Sequence, residues 1–319
     1  SQNVANGMMA LSSWNVGNYN TATGYNSLYF NTSGNYNVAT GSGALKYNKS
    51  GINNVATGTD ALNKNETGNY NTATGNAALA ANISGKQNTA TGNYALHDNT
   101  TGENNTAHGY QALQNNETGS YNTATGHYAL FSNKGSYNVA TGYAAIWRNT
   151  TGQRNVGTGP WALEYNTTGT DNVASGERAL GKTTIGNINV GIGVRALANN
   201  TTGVDNTAIG GGAMYYGKDG IKNVAIGRSA GVKSGDSQYS SIGHHNTFLG
   251  SDTTFTSSSY SYSTAIGYGA AITASQQIVL GRTDNLIVRV YGVLTYTSSN
   301  TSSDYRIKEN VVPISDTSY

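Results

Sequence analysis

The chain has 319 residues, among them 42 glycines, 2 prolines, 23 tyrosines and no cysteine, and its formal net charge is +2. That charge balance gives no grounds for nucleic acid or an acidic membrane surface as a partner, and the missing cysteine excludes disulfides, zinc thiolates and a cysteine nucleophile. No apolar run approaches the roughly 20 residues of a membrane-spanning helix. A start at Ser1 rather than Met implies a segment removed or left out before it.

In chain order, the first and longest feature is a repeat. Glycine recurs at Gly7, Gly24, Gly41, Gly58, Gly75, Gly92, Gly109 and Gly126, then from Gly142 on to Gly227. The step is 17 residues, except for one of 16 between Gly126 and Gly142, where the missing residue falls in Phe131–Gly135. An asparagine stands four residues before each glycine, at Asn20, Asn37, Asn54, Asn71, Asn88, Asn105 and Asn122 and on to Asn223. A second glycine follows ten residues after, as at Gly34, Gly51 and Gly68. A 17-residue unit is too short for a helix pair with its turns. Two corners and two short extended runs fit one coil of a β-solenoid, so the fold class is all-β. In N-(T/V)-A-(T/I), Thr, Val and Ile exchange at alternate positions, as on a half-buried strand face. Alanines such as Ala22 and Ala39 point the other way, toward a leucine row at Leu28, Leu45, Leu62 and onward. The corner glycine supplies a positive φ or a close approach of the next coil. Fourteen stacked coils give a rod of roughly 60–65 Å, and the asparagine row is read as a structural amide ladder.

One leucine and one or two alanines are a thin core for 17 ordered residues. The Thr/Val/Ile stripe is a natural second buried face, which predicts self-association. N-x-A-x-G with its β-branched pair resembles the head repeats of trimeric autotransporter adhesins, which are trimeric β-rolls of shorter period. The fuller N-T-A-x-G-x-x-A-L-x-x-N-T-T-G pattern resembles repeat arrays in phage and large-virus fibres and in secreted bacterial surface proteins. The resemblance covers residues 3–230 and implies a homotrimer.

The period breaks after Gly231. Residues 232–263 read as Ser- and Tyr-rich loops with repeat echoes at Ile242-Gly243, Leu249-Gly250 and Ala265-Ile266-Gly267. Strands are expected at Gln277–Gly281, Leu286–Tyr291 and Val293–Tyr296, forming a β-rich neck. The organisation is thus 1–231 solenoid head or shaft, 232–302 neck, and 303–319 a further start. That last part, Ser303-Asp304-Tyr305-Arg306-Ile307-Lys308-Glu309-Asn310, resembles the opening of the intramolecular chaperone auto-processing domain. The resemblance implies a domain that trimerises the fibre and then cuts itself off after Ser303, with Ser303 as nucleophile and Lys308 as base.

Other candidates are weaker. Asn-x-Ser/Thr strings at Asn31, Asn48, Asn65, Asn82, Asn99, Asn116, Asn149, Asn166 and Asn200 are read as turns, with glycan attachment as the alternative. His244-His245 offers at most one metal ligand per face, and no metal or cofactor is expected. Tyrosines beside the corners, such as Tyr19, Tyr36 and Tyr121, suit ladder packing or saccharide contact. The carboxylates show no glycosidase pairing, so no enzyme is expected beyond self-cleavage. The reading is an extracellular, virion-borne fibre that binds a host-surface glycan or protein receptor. The alternatives are a secreted bacterial adhesin or filament subunit, and an ice-binding rod built on Thr-x-Thr rows such as Thr72-Ala73-Thr74.

Overall fold

A computed structural model of the chain describes residues 2–13, 15–235 and 241–282. Every regular element among these residues is a short β-strand. Fourteen three-residue strands follow the repeat, from Val4–Asn6, Thr21–Thr23 and Val38–Thr40 through to Val224–Ile226. Each pairs in parallel with its counterpart in the next coil, Thr21 with Val38 and Ala22 with Ala39. At the short repeat the register simply closes up, pairing Thr123 with Val139. The chain is a parallel β-solenoid with coils of 17 residues.

The core is a column. From the second coil on, the middle residue of each repeat strand, usually alanine, and the apolar residue four past the corner glycine, usually leucine, are buried, as in Ala56 with Leu62 and Ala73 with Leu79. Gly41 shows why the corner cannot vary. Its φ is +133°, and an added Cβ would collide with the carbonyl of Gly58 in the next coil.

The second extended run expected in each repeat is replaced by turns. After Gly41, Gly43 (φ 68°) and Leu45 (φ 49°) are left-handed, and this alternation recurs coil after coil. Backbone groups still pair between coils: Gly43 N–H donates to Tyr25 O (2.9 Å) and Leu45 N–H to Ala61 O (3.0 Å). The physical reason is width. Two facing sheets stand about 10 Å apart, more than one leucine and two alanines fill. Crumpling the second side lets the wall close on a thin core, at about 1–2 kcal/mol for each left-handed non-glycine residue.

The coils beyond Gly231 test that reason within the same molecule. The main sheet does not stop there: Thr247–Leu249, Thr264–Ile266 and Ile278–Leu280 continue it in parallel. The change expected at 232 therefore lies in the loops and the second side, while the main sheet continues to Leu280. Phe248 replaces the inward alanine and packs 5.9 Å from Phe255. With this wider filling a true second sheet forms, from Val232–Lys233, Thr254–Phe255 and Ala271–Ile272. The 17 strands of the main sheet make a rod about 75–80 Å long. Leu286–Tyr291, Val293–Tyr296, Ser303 and Lys308 lie outside the described residues.

Candidate interaction surfaces

The asparagines come first because they position everything else. Asn71 is buried. Its Nδ2 donates to Asn54 Oδ1 (3.2 Å) and to Gly85 O (2.8 Å). Its Oδ1 accepts from the backbone N–H (3.0 Å) and Nδ2 (3.2 Å) of Asn88. The same pattern links Asn20, Asn37, Asn54, Asn71, Asn88, Asn105 and Asn122. These side chains are occupied in bridging coils.

A second ladder was not read as one from the sequence. The asparagines of the N-x-(S/T)-G strings are buried as well. Asn48 Nδ2 donates to Asn31 Oδ1 (2.7 Å) and Gly51 O (3.0 Å), so the nitrogen that would carry a glycan is enclosed and doubly bonded. The turn reading fits this geometry and glycan attachment to the folded coil does not. The sequence held the signal, since these asparagines keep the same period as the first row. The ladder has one break. Thr183 takes an asparagine's place, leaving Asn166 Oδ1 and Thr183 Oγ1 buried without hydrogen-bond partners.

Two faces remain for partners. The outer face of the main sheet carries two columns of side chains in register, most of them β-branched, with His108, Ser175 and Leu249 among the exceptions. Threonine dominates the middle coils, as in Thr72 and Thr74 opposite Thr89 and Thr91. Farther on, one column becomes Ile192, Ile209, Ile226, Leu249 and Ile266. Val139 and Ile226 are 38% and 39% exposed, so the face is uncovered in the single chain.

The turn face is irregular. Tyr19 stacks on Tyr36 with centroids 4.9 Å apart, and Tyr121 on Tyr137 at 5.0 Å. Exposed ion pairs join coils, Lys49 with Glu66 at 2.8 Å and Arg154 with Asp171 at 2.6 Å. From Trp147 onward the face is cationic and aromatic. Arg148 lies over Trp147 (4.9 Å) and Tyr165 (4.7 Å), and Arg178 over Trp161 (4.9 Å). Burial pushes the Glu164 carboxyl up, against the pull of Arg178 and Arg148. Sequence reading missed this cluster, although aligning the coils by their period places these residues in neighbouring columns.

His244 and His245 are engaged locally. Ile221 N–H donates to His244 Nδ1 (3.2 Å), and His245 stacks on Tyr262 with centroids 4.7 Å apart. No group of three metal-ligating side chains occurs among the described residues. No protein-family model matches the chain, and no curated protein matches it.

Proposed function

We propose that this chain is the rod of a homotrimeric extracellular fibre, carried on a virion surface or tail, that serves attachment to a host-surface glycan or protein receptor. The observation that carries the proposal is the outer sheet face: two columns dominated by Thr, Val and Ile, aligned along the main sheet and uncovered in one chain. A long regular β surface of this kind invites association, and three copies packed about an axis cover it without an open end. The repeat and the Ser303–Lys308 segment support the same reading through their resemblance to fibre arrays and to the auto-processing chaperone. Trimerisation also supplies avidity, so each receptor contact can be weak.

Light scattering on the whole chain tests the oligomer. A mass near three chains is expected. Glu at Val139 and Thr91 together should return it to one chain with its circular dichroism unchanged. A wild-type monomer overturns the proposal. For the end of the chain, Ser303→Ala or Lys308→Ala in the longer precursor should abolish release of the C-terminal piece, and normal release from both sinks the dyad.

A second reading has its own observation. The Thr-x-Thr runs at Thr72–Thr74, Thr89–Thr91 and Thr123–Thr125 align hydroxyls in register, interrupted in one column by His108, and such rows suit ordered water or ice. Thermal hysteresis near 0 °C in a monomeric sample would favour it, and freezing at the equilibrium point would remove it.

A further inference from the structure

A hollow lies on the turn face where the fifth residue after the corner glycine shrinks twice in succession, to Gly181 and then Ala198. That column reads Trp147, Glu164, Gly181, Ala198, Tyr215. Gly181 and Ala198 open a cavity of about 360 Å³ between Glu164 at one end and Tyr215 at the other. Arg178 and Arg195, one coil apart, flank it on one side, and Tyr165 and Lys182 on the other. Asn199, only 3% exposed, is part of its lining, and its Nδ2 donates to Tyr215 O (2.8 Å).

The hollow continues along the rod. A neighbouring depression of about 230 Å³ shares Lys182 and adds Lys218. Another of about 610 Å³ shares Arg195 and Tyr215 and adds Arg228. Four successive coils therefore each contribute at least one cation to the groove, and Glu164 is the single acid among these lining residues. Among the described residues, the guanidinium groups of Arg195 and Arg228 and the Lys218 ammonium have no hydrogen bond or ion pair. A comparable hollow near the other end, about 430 Å³, is lined by Asp60, Lys64, Tyr94 and His97, where acid and base balance. Side-chain loss makes a hollow in both places, but the positive excess belongs to one.

We infer that this groove binds an acidic polysaccharide of the uronate type, with the ring carboxylates on Arg178 and Arg195 and sugar faces against Tyr165 and Tyr215. Arginine's fork matches a carboxylate with two parallel hydrogen bonds, and aromatic faces suit the C–H face of a sugar. Arg178 and Arg195 occupy the same column in successive coils, a spacing of about 4.8 Å. That suits a chain with one charge per ring better than duplex DNA, which carries a charge every ~1.7 Å. The inference deepens the attachment reading by naming the class of surface ligand. It does not depend on the trimer, because one chain supplies the whole groove.

The test is titration calorimetry of the whole chain with tetragalacturonate, maltotetraose, a sulfated heparin tetrasaccharide and oligo-dT. Tetragalacturonate should bind with a clear preference over the other three. Replacing both Arg178 and Arg195 with Ala should weaken it about tenfold or more. Gly181→Gln should block the groove, and Ala198→Gln repeats the test in case a Cβ at Gly181, 3.1 Å from Arg178 O, disturbs the coil. Lys64→Ala, at the balanced hollow, should change nothing. No binding of tetragalacturonate, equal binding of oligo-dT or the sulfated sugar, or binding indifferent to the groove variants overturns the inference. A monomer that binds would sink the trimer and keep the groove; a trimer that does not bind would do the reverse.

Discussion

The strand side and the turn side of each coil are made by one chain at one period, yet they tolerate very different variation. On the strand side, Asn, a β-branched residue, Ala or Gly, and a corner Gly recur through fourteen coils. On the turn side, the fifth residue after the corner runs through Tyr29, Lys46, Asn63, Ala80, His97 and Gln114 before reaching Trp147 and Gly181. The difference lies in what each residue faces. A strand-side asparagine bonds to the coils on both sides, whereas the turn-side residue beyond the leucine sits half-buried at the edge of the coil and is not tied into a ladder. The rod thus separates what holds it together from what it displays.

The largest effect should come from cutting the first ladder. Asn71→Ala strands the Asn88 N–H and the Gly85 carbonyl in the interior and should cost about 3–5 kcal/mol in denaturant unfolding. Lys64→Ala on the turn side should stay within about 0.5 kcal/mol. Equal losses would erase the distinction between the two sides. Leu96→Ala should cost about 3 kcal/mol, because the neighbouring leucines cannot collapse into the space. Thr183→Asn runs the other way. It gives Asn166 Oδ1 a donor and Asn200 Nδ2 an acceptor, and should add about 1–2 kcal/mol. No gain would mean that the broken ladder is already satisfied. Ala77→Gly relieves a left-handed residue (φ 51°) and should stabilise by about 0.5–1 kcal/mol.

The smallest effect is a pH dependence on the turn side. The Arg154 guanidinium hydrogen-bonds Asp171 and holds its carboxyl below the usual range. A depressed carboxylate contributes stability above its unfolded pKa and loses it as pH falls through the folded value. The loss should therefore appear only below about pH 4, and Asp171→Asn should flatten that part of the stability profile. Both partners are exposed, so solvent screening keeps the change near the limit of measurement.

Much of the strand side was legible in sequence, because each of its rows is a single residue type at a fixed step: Asn54, Ala56 and Gly58 announce a ladder, a core and a corner. The turn side was not. Leu62 and Asp60 adopt left-handed φ, which leucine has no local reason to favour; only the thin core makes that conformation pay. Gly43 and Gly212, sitting where other coils have Asp60 or Arg178, were the available hint. Phe248 told where the second sheet would form, but its meaning depended on knowing how narrow the other coils are. The groove escaped notice because it is opened by two small residues, Gly181 and Ala198, whose neighbours across the coils emerge only when the period is laid out in rows.

Each amide in the ladder receives from one side what it passes to the other: Asn88 donates to Asn71 just as Asn71 donates to Asn54. Nothing in that exchange counts coils. Length is therefore an open quantity in this fold, and a gain or loss of 51 bases in frame would change the rod by one step while the strand-side ladder and pairing are restored. Even the 16-residue repeat obeys this, since its missing residue falls between Asn133 and Gly135, which still bond at 2.7 Å. A change of residue type is tolerated too: the row passes from Asn246 to Ser263, which accepts through Oγ from Gln277 N–H at 3.3 Å and so hands the exchange on. Along its strand side the rod behaves as a measuring tape whose graduations are interchangeable.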